Sequence, residues 1–427
     1  TNAFLALIGF LTGLLVARIL GPGGRGELAA IQTWPTFLAT LAMLGTPDAL
    51  VYFSARQPAR AASLLVTSIF IGLLACVPAA ALGYLGLPFL MASQSESVVA
   101  AARAYLWILP LFAVVGMLAH PLRGRNDLLS WNLMRSFPAL MWLGVLLIGM
   151  VAGQVTAVNY ARWYLIGMAL LFIPMALVLT KRISGPYQPS FADVRPILGY
   201  GLPSMVSGLP STLNLKLDQI LMVGLLSPQL LGFYIVAVAW SNATLPILSA
   251  LPAVIVPKVA GSSDRINQLK SLTQMTRLGS SLTVVVGLVF AILSPLAIPL
   301  LFGSEFKNAI SAGVILSIGV VFLSINQMLE SGLMGLGKPK LVLLTQVVGL
   351  IFTIILLLVL MPRYKIIGAA IASTVSYFSI TVLNLILLTW MSKIGWTNFI
   401  LPNSEDLRMM LSRFRSLFAL SKQDPGS

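Results

Sequence analysis

Long apolar runs alternate with short polar breaks along the whole chain. Crossing a bilayer as a helix takes about 20 apolar residues. Twelve runs meet that length: 1–20, 28–54, 61–87, 99–120, 128–152, 160–180, 197–226, 229–256, 275–302, 308–335, 341–361 and 366–391. The breaks are rich in Gly, Pro and charge, which suits helix hairpins. Strands of a membrane barrel would be about 10 residues long with alternating polarity; these runs are too long and too uniform. The pattern predicts an all-α polytopic membrane protein of about twelve transmembrane helices, in two six-helix bundles around a central cavity. The first run reads as a membrane helix whose lead-in is missing. A signal peptide would be followed by a soluble body.

Composition supports the bilayer as solvent. Hydrophobic residues make up 58% of the chain and charged residues 9%, against about 25% charged in soluble domains. The net charge of +15 does not point to nucleic acid, because the basic residues sort by side of the membrane. Arg56, Arg60, Arg123, Arg125, Lys181, Arg182, Arg195, Lys258, Arg265, Lys270, Arg277, Lys338 and Lys340 fall on one side, and Arg25, Arg162, Lys307, Arg363 and Lys365 on the other. The richer side is expected to be cytoplasmic, with both termini on it. A single cysteine (Cys76) and a single histidine (His120) leave no internal disulfide and no Cys/His metal site. There is no phosphate-binding P-loop for a built-in ATPase, and no cofactor is expected.

Residues 181–196 fall at the midpoint and hold three prolines. They are expected to link an N-terminal bundle (1–180) to a C-terminal one (197–395), followed by an amphipathic cytoplasmic tail (396–427). In that tail Leu407, Met410, Leu411, Phe414, Leu417 and Phe418 share one helical face, as in a helix lying on anionic lipid headgroups. Residues 257–274 are expected to form another amphipathic helix. The bundles also resemble one another. LLVARILGPGGRGELAAIQTW (14–34) aligns with ILMVGLLSPQLLGFYIVAVAW (220–240) at an offset of 206, matching Pro22 with Pro228, Gly26 with Gly232 and Trp34 with Trp240. LRGRNDLL (122–129) aligns with GLGKPKLV (335–342) at 213, matching Gly124 with Gly337. Repeats six spans apart share one orientation, so a pseudo-twofold axis runs along the membrane normal, as in carriers that rock about a shared site.

Charges inside spans cost at least ~2.5–3.5 kcal/mol at mid-bilayer and normally face protein or water. Lys216 and Asp218 lie in the seventh run, roughly 15 Å deep at 1.5 Å per residue. Two positions apart on a helix, they point to different sides. Each needs water, a group on another helix, or a ligand. Asn214 shares the Asp218 face, and Asn242, Asn326 and Gln327 extend a polar lining. Arg135 lies about two turns inside the fifth run. Arg18 either snorkels to headgroups or faces the cavity. Asp48 and Glu330 lie near helix ends and either gate the protein or pair with loop cations. His120, before Pro121, is more readily a structural hydrogen-bonding residue than a proton carrier. Pro203, Pro210, Pro246 and Pro252 place kinks beside the polar patch.

The segment VARILGPGGRGELAAIQTWPTFLATLAMLGTPDALVYFSAR (16–56) resembles the opening hairpin of Wzx-type polysaccharide flippases, within the multidrug/oligosaccharidyl-lipid/polysaccharide exporter superfamily. LKLDQILMVGLLSPQLLGFYIVA (215–237) and GLGKPKL (335–341) resemble the same family. The resemblance implies a non-enzymatic carrier of the bacterial inner membrane. It would flip undecaprenyl-diphosphate-linked oligosaccharide by alternating access, for O-antigen, capsule or exopolysaccharide. It implies that cavity cations meet the diphosphate, and Arg18, Arg135 and Lys216 are the candidates. Asn214, Asn242 and Gln327 would complete the substrate site, and Asp48, Asp218 and Glu330 would couple H+ or Na+ or gate the cycle. Membrane lipids and polysaccharide assembly proteins are the further partners it implies. The competing readings are a cation-coupled multidrug antiporter of the same superfamily and a polysaccharide polymerase or ligase.

Overall fold

A computed structural model describes residues 2–153, 156–248, 250–261 and 264–402. The amphipathic helix expected within 403–427 lies outside the described residues. The N-terminal half comprises α1 (Asn2–Ala42), α2 (Thr46–Arg56), α3 (Ala61–Leu90), α4 (Glu96–Tyr105), α5 (Ile108–Leu111), α6 (His120–Gly124), α7 (Leu128–Val151) and α8 (Ala157–Arg182). The C-terminal half comprises α9 (Phe191–Leu225), α10 (Pro228–Asn242), α11 (Leu245–Leu248), α12 (Ala250–Ala260), α13 (Arg265–Phe302), α14 (Ile310–Gly335), α15 (Pro339–Ser392) and α16 (Thr397–Ile400). Among the described residues, eight stretches are long and apolar enough to cross a membrane. Two of them, α1 and α15, contain two spans each, joined at Gly21 (φ 64°) and Lys365 (φ 51°). The seventh span is α9 and the eighth is α10–α12, both made more polar or broken by the residues discussed below. The result is a twelve-helix, two-lobed transporter fold.

Differences from the expected boundaries have local causes. No proline interrupts 265–294, so the helix expected at 257–274 is no separate element: α13 runs unbroken from Arg265 into the ninth span. The fourth span is broken, with a π-helical turn at Phe112–Gly116. The stretch between α8 and α9 is held against the N-terminal lobe, where the backbone N–H of Ser190 donates to Thr67 Oγ1 (2.9 Å). Helix starts are capped as the sequence allows: Asp127 accepts from the Ser130 N–H and Thr156 from the Asn159 N–H, both at 3.2 Å, satisfying donors that have no intrahelical partner.

The repeat is visible in three dimensions. Near Gly21, α1 crosses α10 so closely that a Cβ on Gly26 would lie 1.6 Å from the Pro228 carbonyl oxygen. A Cβ on Gly232 would lie 1.9 Å from the Pro22 carbonyl oxygen. These are the residue pairs matched at offset 206, each touching the other's equivalent across a pseudo-twofold axis. The second match needs a shift of two residues. Asn126 (φ 63°) and Gly337 (φ 73°) are the left-handed residues that end the two equivalent helices. The following N–H groups close the same bond, Asp127 to Leu122 O and Lys338 to Leu333 O, both 2.9 Å, as in a Schellman cap. Asn126, not Gly124, is therefore the counterpart of Gly337.

Candidate functional site

Two polar stripes face each other between the lobes. On α1 the stripe is Arg25, Gln32, Thr33, Thr36 and Thr40; on α9 it is Thr212, Lys216 and Gln219. Both follow helical spacing. They enclose a compartment of about 330 Å³ with Phe37, Ile220 and Ile235. A second compartment of about 340 Å³ shares Arg25, Lys216 and Gln219 and adds Ser241, Asn242 and Tyr377. A third, of about 390 Å³, shares Phe37, Thr40 and Thr212 and extends to Asp48, His120 and Ser204. A fourth, of about 620 Å³, shares Ala239, Asn242 and Leu245 with the second and lies between Asn2–Phe10 of α1 and Asn242–Pro246. Shared linings place these compartments side by side between the lobes, with the fourth at the flank of the protein between the first and eighth spans.

Among the described residues neither Arg25 nor Lys216 enters a salt bridge, and Arg25 Nε is buried without a hydrogen bond. Arg25 was read from sequence as a loop residue that sets topology. The chain instead re-enters a helix directly after Gly21, which carries Arg25 into the interface. The signal that could have found it is the spacing of Arg25, Gln32, Thr33, Thr36 and Thr40 within an otherwise apolar run.

The remaining predicted residues part company. Lys216 and Asn242 line the space, and so does Asp48, which accepts a bond from Ser204 Oγ of the opposite lobe (2.6 Å). Arg18 does not line it: Nε and Nη2 donate to the carbonyls of Leu301 and Leu300, each at 2.6 Å, filling the free acceptors at the end of α13. Arg135 stacks over Trp131 (4.4 Å) and donates to Asn2 Oδ1 (3.3 Å), at the edge of the flank opening. Gln327 lines none of the four compartments; its backbone carbonyl accepts from Ser331. Asn214, Asp218 and Glu330 turn into the C-terminal lobe. Asp218 is buried and receives bonds from Tyr234 Oη, Ser373 Oγ (3.3 Å) and the Gln219 N–H (2.7 Å). Asn214 donates to Gln346 (2.9 Å to Oε1) and accepts from Thr353 (3.1 Å). Gln346 and Asn326 both donate to Glu330 Oε1. Lys216 and Asp218 thus do face opposite sides of α9, one toward the cavity and one toward a lobe interior.

Both mouths along the membrane normal are shut. At the α2 end, Arg60 pairs with Asp193 (2.6 Å), Tyr52 stacks on Tyr200 (4.4 Å between centroids), and a Cβ on Gly45 would lie 1.9 Å from Gly201 O. At the other end, Gln94 Nε2 donates to the carbonyls of Val223 (2.8 Å) and Leu226 (3.0 Å), beside the Gly26–Gly232 crossing.

A protein-family model described as "Polysaccharide biosynthesis protein" matches residues 2–263. A "Probable low-salt glycan biosynthesis flippase Agl15" of Haloferax volcanii is 26% identical over 240 residues, covering 54% of this chain and 51% of that protein. An uncharacterized membrane protein of Methanocaldococcus jannaschii is 27% identical over 188 residues, 43% of each chain. The matches span about half the length of these curated relatives. Among solved structures, an inward closed conformation of the lipid II flippase MurJ superposes with a TM-score of 0.76 at 15% identity, covering 99% of this chain and 92% of that one. An inward-facing multidrug resistance MATE family transporter of the MOP superfamily gives 0.74 at 16% identity, covering 91% and 94%. Those two likenesses concern the fold. With the family model spanning more than half of this multi-pass membrane chain, the chain belongs to the polysaccharide biosynthesis protein family.

Proposed function

We propose that the protein flips a lipid-linked anionic oligosaccharide across the membrane by alternating access, with Arg25 and Lys216 holding the phosphate part of the cargo. The carrying observation is the pair of cations, one from each lobe, that face the same interlobe compartment and, among the described residues, enter no salt bridge. A desolvated cation is costly unless paired, and phosphate oxygens accept charge-assisted bonds from both groups. Gln32, Thr33, Thr36 and Gln219 offer donors and acceptors to sugar hydroxyls. The flank opening, lined by Ala3, Ala6, Gly9, Ala239 and Ala243, leaves room for a lipid tail to stay in the bilayer. We take the cargo to be an undecaprenyl-diphosphate-linked repeat unit for surface polysaccharide, moved across a bacterial inner membrane with both termini cytoplasmic. Asp218 and Glu330, in the polar network of the C-terminal lobe, are the proposed groups for coupling to H+ or Na+. Two bundles (1–180 and 197–395) joined by 181–196 are the proposed moving bodies.

The test is flipping of a fluorescent lipid-diphosphate oligosaccharide in proteoliposomes. Losing a hydrogen bond to a charged group is worth about ten- to a hundredfold, so Lys216→Ala and Arg25→Gln should each slow flipping at least about tenfold with folding retained. Wild-type rates in the double variant would overturn the phosphate role.

A second reading rests on the third compartment. There Asp48 sits with Phe37, Phe112, Met43, Met117 and Met205, a setting that suits an organic cation. Efflux of a cationic dye that disappears in Asp48→Asn, with oligosaccharide flipping absent, would favour the antiporter.

A further inference from the structure

A further cavity lies away from the lobe interface. It is a groove of about 1010 Å³ between α3 and α4–α5, walled by Leu73, Val77, Leu85 and Trp107, with Tyr84 and Arg103 at one level. Trp107, Val77 and Leu85 are exposed there. It shares no lining residue with the four interlobe compartments. Arg103 stands seven residues into the helix that opens at Glu96, and Tyr84 six residues before the end of α3 at Leu90. At 1.5 Å per residue both lie about 10 Å below the 91–95 turn.

Arg103 is held in place there. Its Nε donates to the Tyr84 carbonyl (2.9 Å), and its guanidinium lies over the Tyr84 ring at 4.4 Å. Among the described residues no carboxylate forms a salt bridge with it. A cation at that depth is costly without an anion, and the two Nη groups present a planar fork that matches phosphate geometry. A wall that only faced lipid tails would need neither a concave groove nor a fixed cation at its headgroup-side end. We propose that the α3–α4 groove docks one glycerophospholipid of the leaflet beside the 91–95 turn, its phosphate on Arg103 and an acyl chain along the apolar wall.

The experiment is native mass spectrometry on delipidated protein titrated with dioleoyl phosphatidylglycerol, and separately with dioleoylglycerol or inorganic phosphate. One phosphatidylglycerol adduct is expected, with dioleoylglycerol and phosphate each at least about tenfold weaker. Arg103→Gln should weaken the adduct by a similar factor. Ala104→Trp, which fills the groove from an exposed position, should displace it, with melting temperatures unchanged in both. The proposal is overturned if dioleoylglycerol binds equally well, if Arg103→Gln retains the adduct, or if Ala104→Trp abolishes a dimer instead of a lipid adduct.

Discussion

Lys216 and Asp218 are two residues apart and serve different environments, because successive positions on a helix differ by about 100°. Lys216 faces the interlobe space and Asp218 the C-terminal lobe. Their variants should therefore fail differently. Asp218→Leu leaves the Tyr234 and Ser373 hydroxyls without their acceptor, and an unsatisfied buried group costs about 1–3 kcal/mol. Thermal unfolding in detergent should show that loss, whereas Lys216→Ala should leave the melting temperature near wild type and lower the flipping rate. Arg18→Met should also behave as a stability variant, since it uncovers two carbonyls at the end of α13. Asp127, in the break between the fourth and fifth spans, gives a pH signature. Burial pushes its carboxyl up, but the two Ser130 bonds and the nearby Arg182 and Arg125 outweigh burial and hold it below its ordinary range. A lowered folded value means that its contribution is present above the unfolded value and lost as pH falls through the folded one. Asp127→Ala should cost about 1 kcal/mol at neutral pH, as for a lost cap, and the difference from wild type should shrink in acid when melting is followed against pH.

At the scale of elements, the helices were legible as apolar runs because the bilayer demands internal backbone hydrogen bonding over a fixed length. Their packing was legible only where glycine marked it. Gly26 and Gly232 were visible as a repeated pair, and the structure explains the repetition: each occupies the other's crossing point, where small residues let backbones approach. Gly26→Ala places a methyl into the Pro228 carbonyl and should force the crossing apart, costing ~1–3 kcal/mol or more. Expression and melting temperature measure it. Gly9→Ala, with open space around its Cβ position, is the matched control. The broken fourth span was read as one plain helix, because a π-helical turn leaves no distinct composition in a run such as FAVVG.

The whole molecule is closed at both mouths, and the two closures differ in chemistry. Each pairs a close backbone approach with side chains: Gly26–Gly232 with the Gln94 amide at one, Gly45–Gly201 with the Arg60–Asp193 ion pair and the Tyr52–Tyr200 stack at the other, and among the described residues the ion pair belongs to the second alone. A partly exposed ion pair contributes at most about 1 kcal/mol, or about fivefold in an opening equilibrium. Labelling of Lys216→Cys by an impermeant maleimide, added on the α2 side, should rise by up to about fivefold in Arg60→Ala. The native Cys76 is buried. A rate unchanged in that background would remove Arg60 from the closure.

Sequence alone determined that this chain lives in a membrane, how many times it crosses, that its halves repeat, and which family it resembles. All of these follow from local length, composition and spacing against a solvent of known thickness. Tertiary structure alone decided which charges meet. Arg25 entered the cavity because a left-handed Gly21 turns the chain without a loop, and Arg18, seven residues earlier, went to cap α13. Asn214 and Asp218 went into the C-terminal lobe while Lys216, on the same helix, went to the interface. A helix presents every azimuth at each depth, and only the neighbours packed around it settle which azimuth is water, lipid or protein.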